Sequence, residues 1–267
     1  MFARLADGGA KPVRKLEGQK TLLSRTVHGI AYNPLRDEFV LPVPFPQALL
    51  TYRGAASGEE APIRIVQGPA TKLISPRRLA LDPVHDEIFV PAGDDEDAIF
   101  VFSASANGNV APIRILQGPD TQLGAGDGVT VDPLRNLIVA AGSLRRGETS
   151  RFRIFNRTDQ GNVKPKAVIG GPKSGLKSVP GPFVVYSPRG WIIAGDSGGG
   201  EMASELSYVG VWSIEDDGDV PPRWRIGGPK GVLQMPRGVT INPKHQEVLV
   251  SDKRQNAVLT FHFPEIF

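Results

Sequence analysis

Short apolar runs separated by turn residues fill the chain from end to end. Between Asn107 and Gly142 the order is a Gly turn, a β-branched run (Ile113–Leu116) and a break at Gly118-Pro119. A second run (Val129–Val131), a polar-Pro turn at Asp132-Pro133 and a third run (Leu137–Ala141) follow. Apolar runs this short, bounded by Gly and Pro, predict strands. No segment sustains a 3.6-residue apolar period with helix caps, which sets helical repeats aside.

The pattern recurs. A turn-plus-Pro element appears as Asp7–Pro12, Ser57–Pro62, Asn107–Pro112, Gln160–Pro165 and Asp217–Pro222, and the run after each breaks at Gly18, Gly68, Gly118, Gly171 or Gly228. A leucine then stands in register (Leu23, Leu73, Leu123, Leu176, Leu233). A polar-Pro pair closes the next apolar run, and Pro34, Pro83, Pro133, Pro188 and Pro243 stand 49, 50, 55 and 55 residues apart. The second unit predicts strands at Leu79–Leu81, Glu87–Val90 and Ile99–Phe102, with Ile63–Val66 ahead of them. A polar residue plus Pro suits a tight hairpin, because Pro fixes φ and cannot extend the ladder.

Four short antiparallel strands per unit, repeated about an axis, predict an all-β protein: a β-propeller in one domain, with five blades and six as the alternative. The units run approximately 11–60, 61–110, 111–163, 164–220 and 221–267. Residues 1–16 read as the end of a third strand plus a fourth strand, and Ala257–Phe263 reads as a third strand lacking a fourth. Pairing Pro12–Leu16 with Ala257–Phe263 is therefore expected to complete the last blade and remove two sheet edges. Phe2 and Phe261 both align with Phe102, so the two ends overlap.

Composition agrees with many turns around a core: 31 Gly, 24 Pro and 40% apolar residues. With no cysteine, disulfides, thiolate metal sites and Cys nucleophiles are excluded. The 31 basic and 28 acidic residues are intermixed, and no basic run marks a nucleic-acid footprint. No apolar stretch has membrane-spanning length, so no membrane insertion is expected. The N-terminus has no signal-like apolar segment, which fits a cytoplasmic protein or one whose leader has been removed.

Three segments carry a family resemblance: GVTVDP (Gly128–Pro133), EIFVPAG (Glu87–Gly93) and AIFVF (Ala98–Phe102). They resemble NHL-type repeats and the wider propeller group that includes SMP-30/gluconolactonase-like proteins. The resemblance implies the blade and not an activity. Relatives of this kind commonly have six blades, and the metal-dependent lactonases among them line the channel with carboxylates and Asn.

Chemistry is expected where the repeats disagree. The residue before each innermost strand faces the channel mouth, and these are His28, Arg77, Asp127, Gly181 or Pro182, and Arg237. Arg237, His28 and Arg77 are neighbours in ring order and form a basic arc suited to a carboxylate or phosphate. The competing reading pairs Arg77 with Asp127 inside a watery channel. A basic mouth repels a divalent cation, and Asp127 alone does not make the carboxylate pair of a glycosidase. No metal and no cofactor are therefore expected.

The segment GDSGG (Gly195–Gly199) matches a serine-protease nucleophile segment, but no His-containing partner motif stands upstream, and Asp196 aligns with Asp94 and Asp252. It reads as a turn. His85 and His245, after their polar-Pro turns, are expected to face solvent. The acidic loop Gly93–Asp97 lacks calcium-loop spacing.

Loops between second and third strands are longer in units three and four and overhang the same mouth. They nominate Arg145, Arg146, Glu201 and Met202, with Phe45 in the apolar loop Pro42–Gln47, as partner contacts. The leading reading is a non-catalytic propeller binding a protein or small anionic partner on this face. A SMP-30-like hydrolase using the same mouth is the alternative.

Overall fold

The protein is a five-bladed β-propeller in a computed structural model that describes all residues except 93–96, 125–127, 144–147, 180 and 200–204. Blade 1 contains β1 (Ala31–Asn33), β2 (Glu38–Val43), β3 (Ala48–Arg53) and β4 (Arg64–Gln67). Blade 2 contains β5 (Ala80–Asp82), β6 (Glu87–Pro91), β7 (Ala98–Ser103) and β8 (Arg114–Gln117). Blade 3 contains β9 (Gly128–Asp132), β10 (Leu137–Gly142), β11 (Arg151–Asn156) and β12 (Ala167–Ile169). Blade 4 contains β13 (Val184–Tyr186), β14 (Trp191–Asp196), β15 (Tyr208–Ser213) and β16 (Trp224–Gly227). Blade 5 contains β17 (Pro236–Asn242), β18 (Glu247–Asp252) and β19 (Ala257–His262). Every sheet is an antiparallel meander in chain order, and the strands of blade 2 fall within one residue of the expected bounds.

The hairpins explain the polar-Pro signal. Asn33 Oδ1, Asp82 Oδ1 and Asp132 Oδ1 accept the backbone N–H two residues on, at 3.0, 2.9 and 3.1 Å, which closes the turn that Pro initiates. The left-handed residues that follow are Asp37, Asp86 and Asn136. The register leucines have an equally local cause. After β4, β8 and β12 a tight turn begins at Gly68, Gly118 or Gly171. The hydroxyl of Thr71, Thr121 or Ser174 donates to that glycine's carbonyl at 2.6–2.7 Å and accepts the N–H of Leu73, Leu123 or Leu176. Each hydroxyl is thus buried with both capacities used, and the leucine is aimed into the space between blades.

A second device joins neighbouring blades. Gly58, Gly108, Gly161 and Gly218 form parallel bridges with Leu16, Val66, Leu116 and Ile169. Asn109 Oδ1 and Asn162 Oδ1 then accept the N–H of Ala70 and Asp120, both at 2.8 Å. Gly68 and Gly118 must be glycine here, with φ of 127° and 135° and the Asn side chain where a Cβ would project. The apolar clusters accordingly lie between blades: Val66 and Leu73 pack with Ile88, Val90, Phe100 and Phe102 of the next sheet.

The seam takes a different form from the expected ladder. Blade 5 hydrogen-bonds as β17–β18–β19, and among the described residues no ladder joins Pro12–Leu16 to β19. Val13 N–H donates instead to Met1 O at 2.9 Å, the contact that Ile63 makes with Thr51 and Ile113 with Val101. Met1 therefore fills the third-strand position that the alignment also assigns to Thr260. The N-terminal segment reaches the last blade through Arg4 Nη1 and Glu247 Oε1, 2.6 Å apart. The C-terminus seats itself on blade 4, with Ile266 fully buried and Phe267 edge-on to Tyr186 at 5.2 Å.

Candidate binding face

In an antiparallel meander the loop that enters the innermost strand lies at the same end of its sheet as the loop between second and third strands. Two carboxylates at the ends of second strands hold the entering loops. Asp252 Oδ2 accepts the N–H of Gln234 and Met235 at 2.8 and 2.9 Å. Asp196 Oδ2 does the same for Lys177 and Ser178 at 2.7 and 2.9 Å, while its Oδ1 takes Gly198 N–H at 2.8 Å. Burial pushes the Asp196 carboxyl above its ordinary value despite these donors. At Asp252 burial acts the same way, but the N–H groups of Met235, Gln234 and Gln255 outweigh it and its pKa is lowered. GDSGG is therefore a loop clamp: Asp196 spends its oxygens on backbone N–H groups, and Ser197 is buried.

The entering loops of blades 1 and 2 adjoin at Gly29 and Arg77. Gly29 sits so close to Arg77 O and Arg78 Cα that a Cβ would lie 3.2 and 3.4 Å from them. His28 and Arg77 are both exposed. Arg237 is half-buried and adjoins the blade 4 loop: Gly181 leaves no room for a side chain against Arg237 O, and Val239 N–H donates to Pro182 O at 2.9 Å. Asp127, Arg145, Arg146, Glu201 and Met202 lie outside the described residues.

Phe45 is 60% exposed in the loop between β2 and β3, with the Arg25 guanidinium carbon 5.1 Å from its ring centroid. Sequence reasoning passed over Arg25, whose signal was its place three residues before His28 in the same entering loop. Beside Phe45, a shallow cleft of about 410 Å³ is lined by Pro46, Gln47, Gln67, Lys72 and Ile74, and Gln67 Nε2 holds Pro46 O at 2.7 Å. The segments 22–29, 44–47 and 68–78 that build this sector contain Arg25, His28, Lys72, Arg77 and Arg78 and no Asp or Glu.

Two expectations about histidine separate. His245 is exposed, as read from the turn. His85 is not simply solvent-facing: it is half-buried, with Nδ1 2.7 Å from Asp82 Oδ2, because the fully buried Asp82 carboxylate needs a partner for its second oxygen. Among the described residues no three His, Asp or Glu side chains gather as a metal site requires, and no helix is long and apolar enough to cross a membrane.

The shape has solved counterparts. A chain in the crystal structure of a nidogen/laminin complex superposes with a TM-score of 0.58 at 15% identity, over 88% of this chain and 80% of that one. Hydrazine synthase from Kuenenia stuttgartiensis gives 0.57 at 11% identity, over 91% of this chain and 58% of that one. A functionally unknown protein from Desulfotomaculum acetoxidans DSM 771 gives 0.57 at 15%, over 89% and 65%. The fold is shared; identities this low extend the likeness no further. No family profile matches the chain, and no curated protein matches it in sequence.

Proposed function

We propose that the propeller is a binding module that takes an anionic group, presented by a protein partner or as a small ligand, on the loop face of blades 1 and 2. The observation that carries this is the exposed Phe45 with Arg25 over its ring, together with the adjoining entering loops of blades 1 and 2, on which His28 and Arg77 are both exposed. An exposed aromatic beside arginines is the composition of an interface hot spot, and guanidinium groups pair with carboxylates in two-point geometry. The nidogen/laminin structure, a complex, supports this use of the fold by analogy alone. Arg145, Arg146, Glu201 and Met202 extend the same face in this reading, and Asp127 and Arg237 complete the mouth. The blade motifs favour kinship with NHL-type and SMP-30-like propellers.

Titration calorimetry with hexaglutamate and with citrate tests it. Arg77→Ala combined with Arg237→Ala is expected to weaken binding at least tenfold, with a fall in affinity as salt rises from 50 to 200 mM, on the order expected for screened surface charge. Unchanged affinity in the double variant makes the arc structural. Metal analysis of the purified protein with a lactone and ester hydrolysis screen tests the hydrolase alternative, and a metal bound at Asp127 overturns the binding proposal.

A further inference from the structure

The cleft beside Phe45 has two fixed walls. On one side the loop between β2 and β3 turns tightly, with Gln47 N–H donating to Pro44 O at 3.2 Å, and Gln67 Nε2 ties Pro46 O to the end of β4 at 2.7 Å. On the other, the turn from Gly68 to Leu73 is held by the Thr71 hydroxyl and by Asn109 Oδ1, which accepts Ala70 N–H. Both walls are shaped before anything binds, so a ligand has little ordering left to impose.

The chemistry of the cleft is peculiar to its unit. Leu22, Lys72 and Gln122, with φ of 57°, 58° and 54°, occupy one register position, so the same backbone presents an aliphatic, a cation and an amide in turn. Two residues on, the register holds Ser24, Ile74, Gly124, Lys177 and Gln234. The entry to blade 2 alone combines a cation and an aliphatic side chain at these two positions. Lys72 and Ile74 are both exposed, Ile74 by 42%. Pro46 and Pro69 add apolar surface, and among the described residues no Asp or Glu lines the cleft.

Phe45 extends this arrangement along its loop. Its ring carries Arg25, from the entry to blade 1. The next residue, Pro46, lines the cleft that Lys72 borders from the entry to blade 2. The apolar surface therefore has a cation at either side. A small anion is poorly served here, because small-ligand sites enclose most of their ligand. A shallow cleft of about 410 Å³ leaves an ion on Lys72 open to screening. A peptide segment meets both conditions, with an apolar side chain lowered into the cleft and its charges at the rim.

We propose that the cleft is the anchor subsite for an acidic peptide segment of a partner protein. One apolar side chain of about leucine size sits against Pro46, Pro69 and Ile74, and carboxylates on either side of it face Lys72 and Arg25. Gln47, which lines the same cleft, supplies an amide for the peptide backbone. The anchor carries the affinity and the flanking charges set the register. This inference rests on the binding reading above and narrows it, from any anionic group to a segment in which acids flank an apolar residue.

Fluorescence anisotropy with two labelled, end-blocked peptides of equal charge tests it: Glu-Glu-Leu-Glu-Glu and Glu-Glu-Gly-Glu-Glu. The wild type is expected to bind the leucine peptide roughly tenfold more tightly, the factor for burying part of a leucine side chain. Ile74→Ser should erase that preference while leaving the affinity for the glycine peptide unchanged, and Lys72→Gln should weaken both peptides alike. Equal wild-type affinity for the two peptides, or a preference that survives Ile74→Ser, overturns the anchor and leaves the anion-binding reading standing. Binding of citrate but of neither peptide has the same consequence. If citrate and hexaglutamate also fail to bind, both the anchor and the anion-binding reading fall.

Discussion

Replacing Glu87 by Gln is expected to destabilise the protein by about 3 kcal/mol, in the range for breaking a buried ion pair by removing one partner. Glu87 opens β6 and is 6% exposed. Its Oε1 accepts from Arg114 Nη1 at 2.7 Å and its Oε2 from Arg157 Nη1 at 2.5 Å, so one carboxylate ties blade 2 to blade 3. The glutamine keeps the shape and removes the charge, leaving two half-buried guanidinium groups short of an acceptor. Urea unfolding at pH 7 gives the difference directly, and a loss under about 0.5 kcal/mol would mean that solvent replaces the carboxylate.

The same residue sets a pH dependence. Burial pushes the Glu87 carboxyl up, but the hydrogen bonds and charges of Arg114 and Arg157 outweigh it and hold the pKa below its ordinary value. A carboxylate with a depressed folded pKa contributes stability that is present above its unfolded value, about 4.3. The gap between wild type and Glu87→Gln is therefore constant from pH 7 to 5 and shrinks as pH falls through the folded value. A gap that widens on acidification contradicts this assignment.

Trp212→Ala is expected to cost about 4 kcal/mol, among the larger core truncations. Trp212 is fully buried on β15, edge-on to Phe152 at 5.2 Å across the boundary between blades 3 and 4. It stands where the other blades carry Tyr52, Phe102, Phe155 and Phe261. The larger indole fits because Gly210, two residues earlier on the same face, has no side chain: a Cβ there would lie 2.4 Å from Trp212 Cη2. Blade 2 divides that space between Phe100 and Phe102. Gly210→Ala should thus cost about 2 kcal/mol by overpacking, and most of that cost should vanish in a Trp212→Phe background. Denaturant unfolding of the four proteins measures the coupling, and strictly additive effects would show that the two positions do not share the space.

Much of the fold was legible because its causes are local. The polar-Pro hairpins depend on an Asn or Asp oxygen reaching N–H groups two and three residues away, and Leu73 or Leu123 is set by a hydroxyl two residues before it. The adjoining of the entering loops of blades 1 and 2 was legible for a related reason: once the period is known, consecutive units are neighbours in the ring. The Asp82–His85 contact was missed because an apolar-polar pattern does not say how deeply a turn carboxylate is buried. Arg25 over Phe45 joins two loops whose side-chain directions no periodicity specifies.

The period, the Gly and Pro punctuation and the two-residue alternation were enough to specify blade, hairpin and ring order, since each is enforced by the pleat and by near neighbours along the chain. The seam was not. Thr260 and Met1 carry equal claims to one strand position, and sequence alignment ranks them equally. Which of them lies beside Val13 depends on long-range contacts, Arg4 with Glu247 and Arg14 with Gly54, between residues far apart in sequence. Such contacts exist only after the blades have packed, so it was the tertiary structure that placed Met1 there.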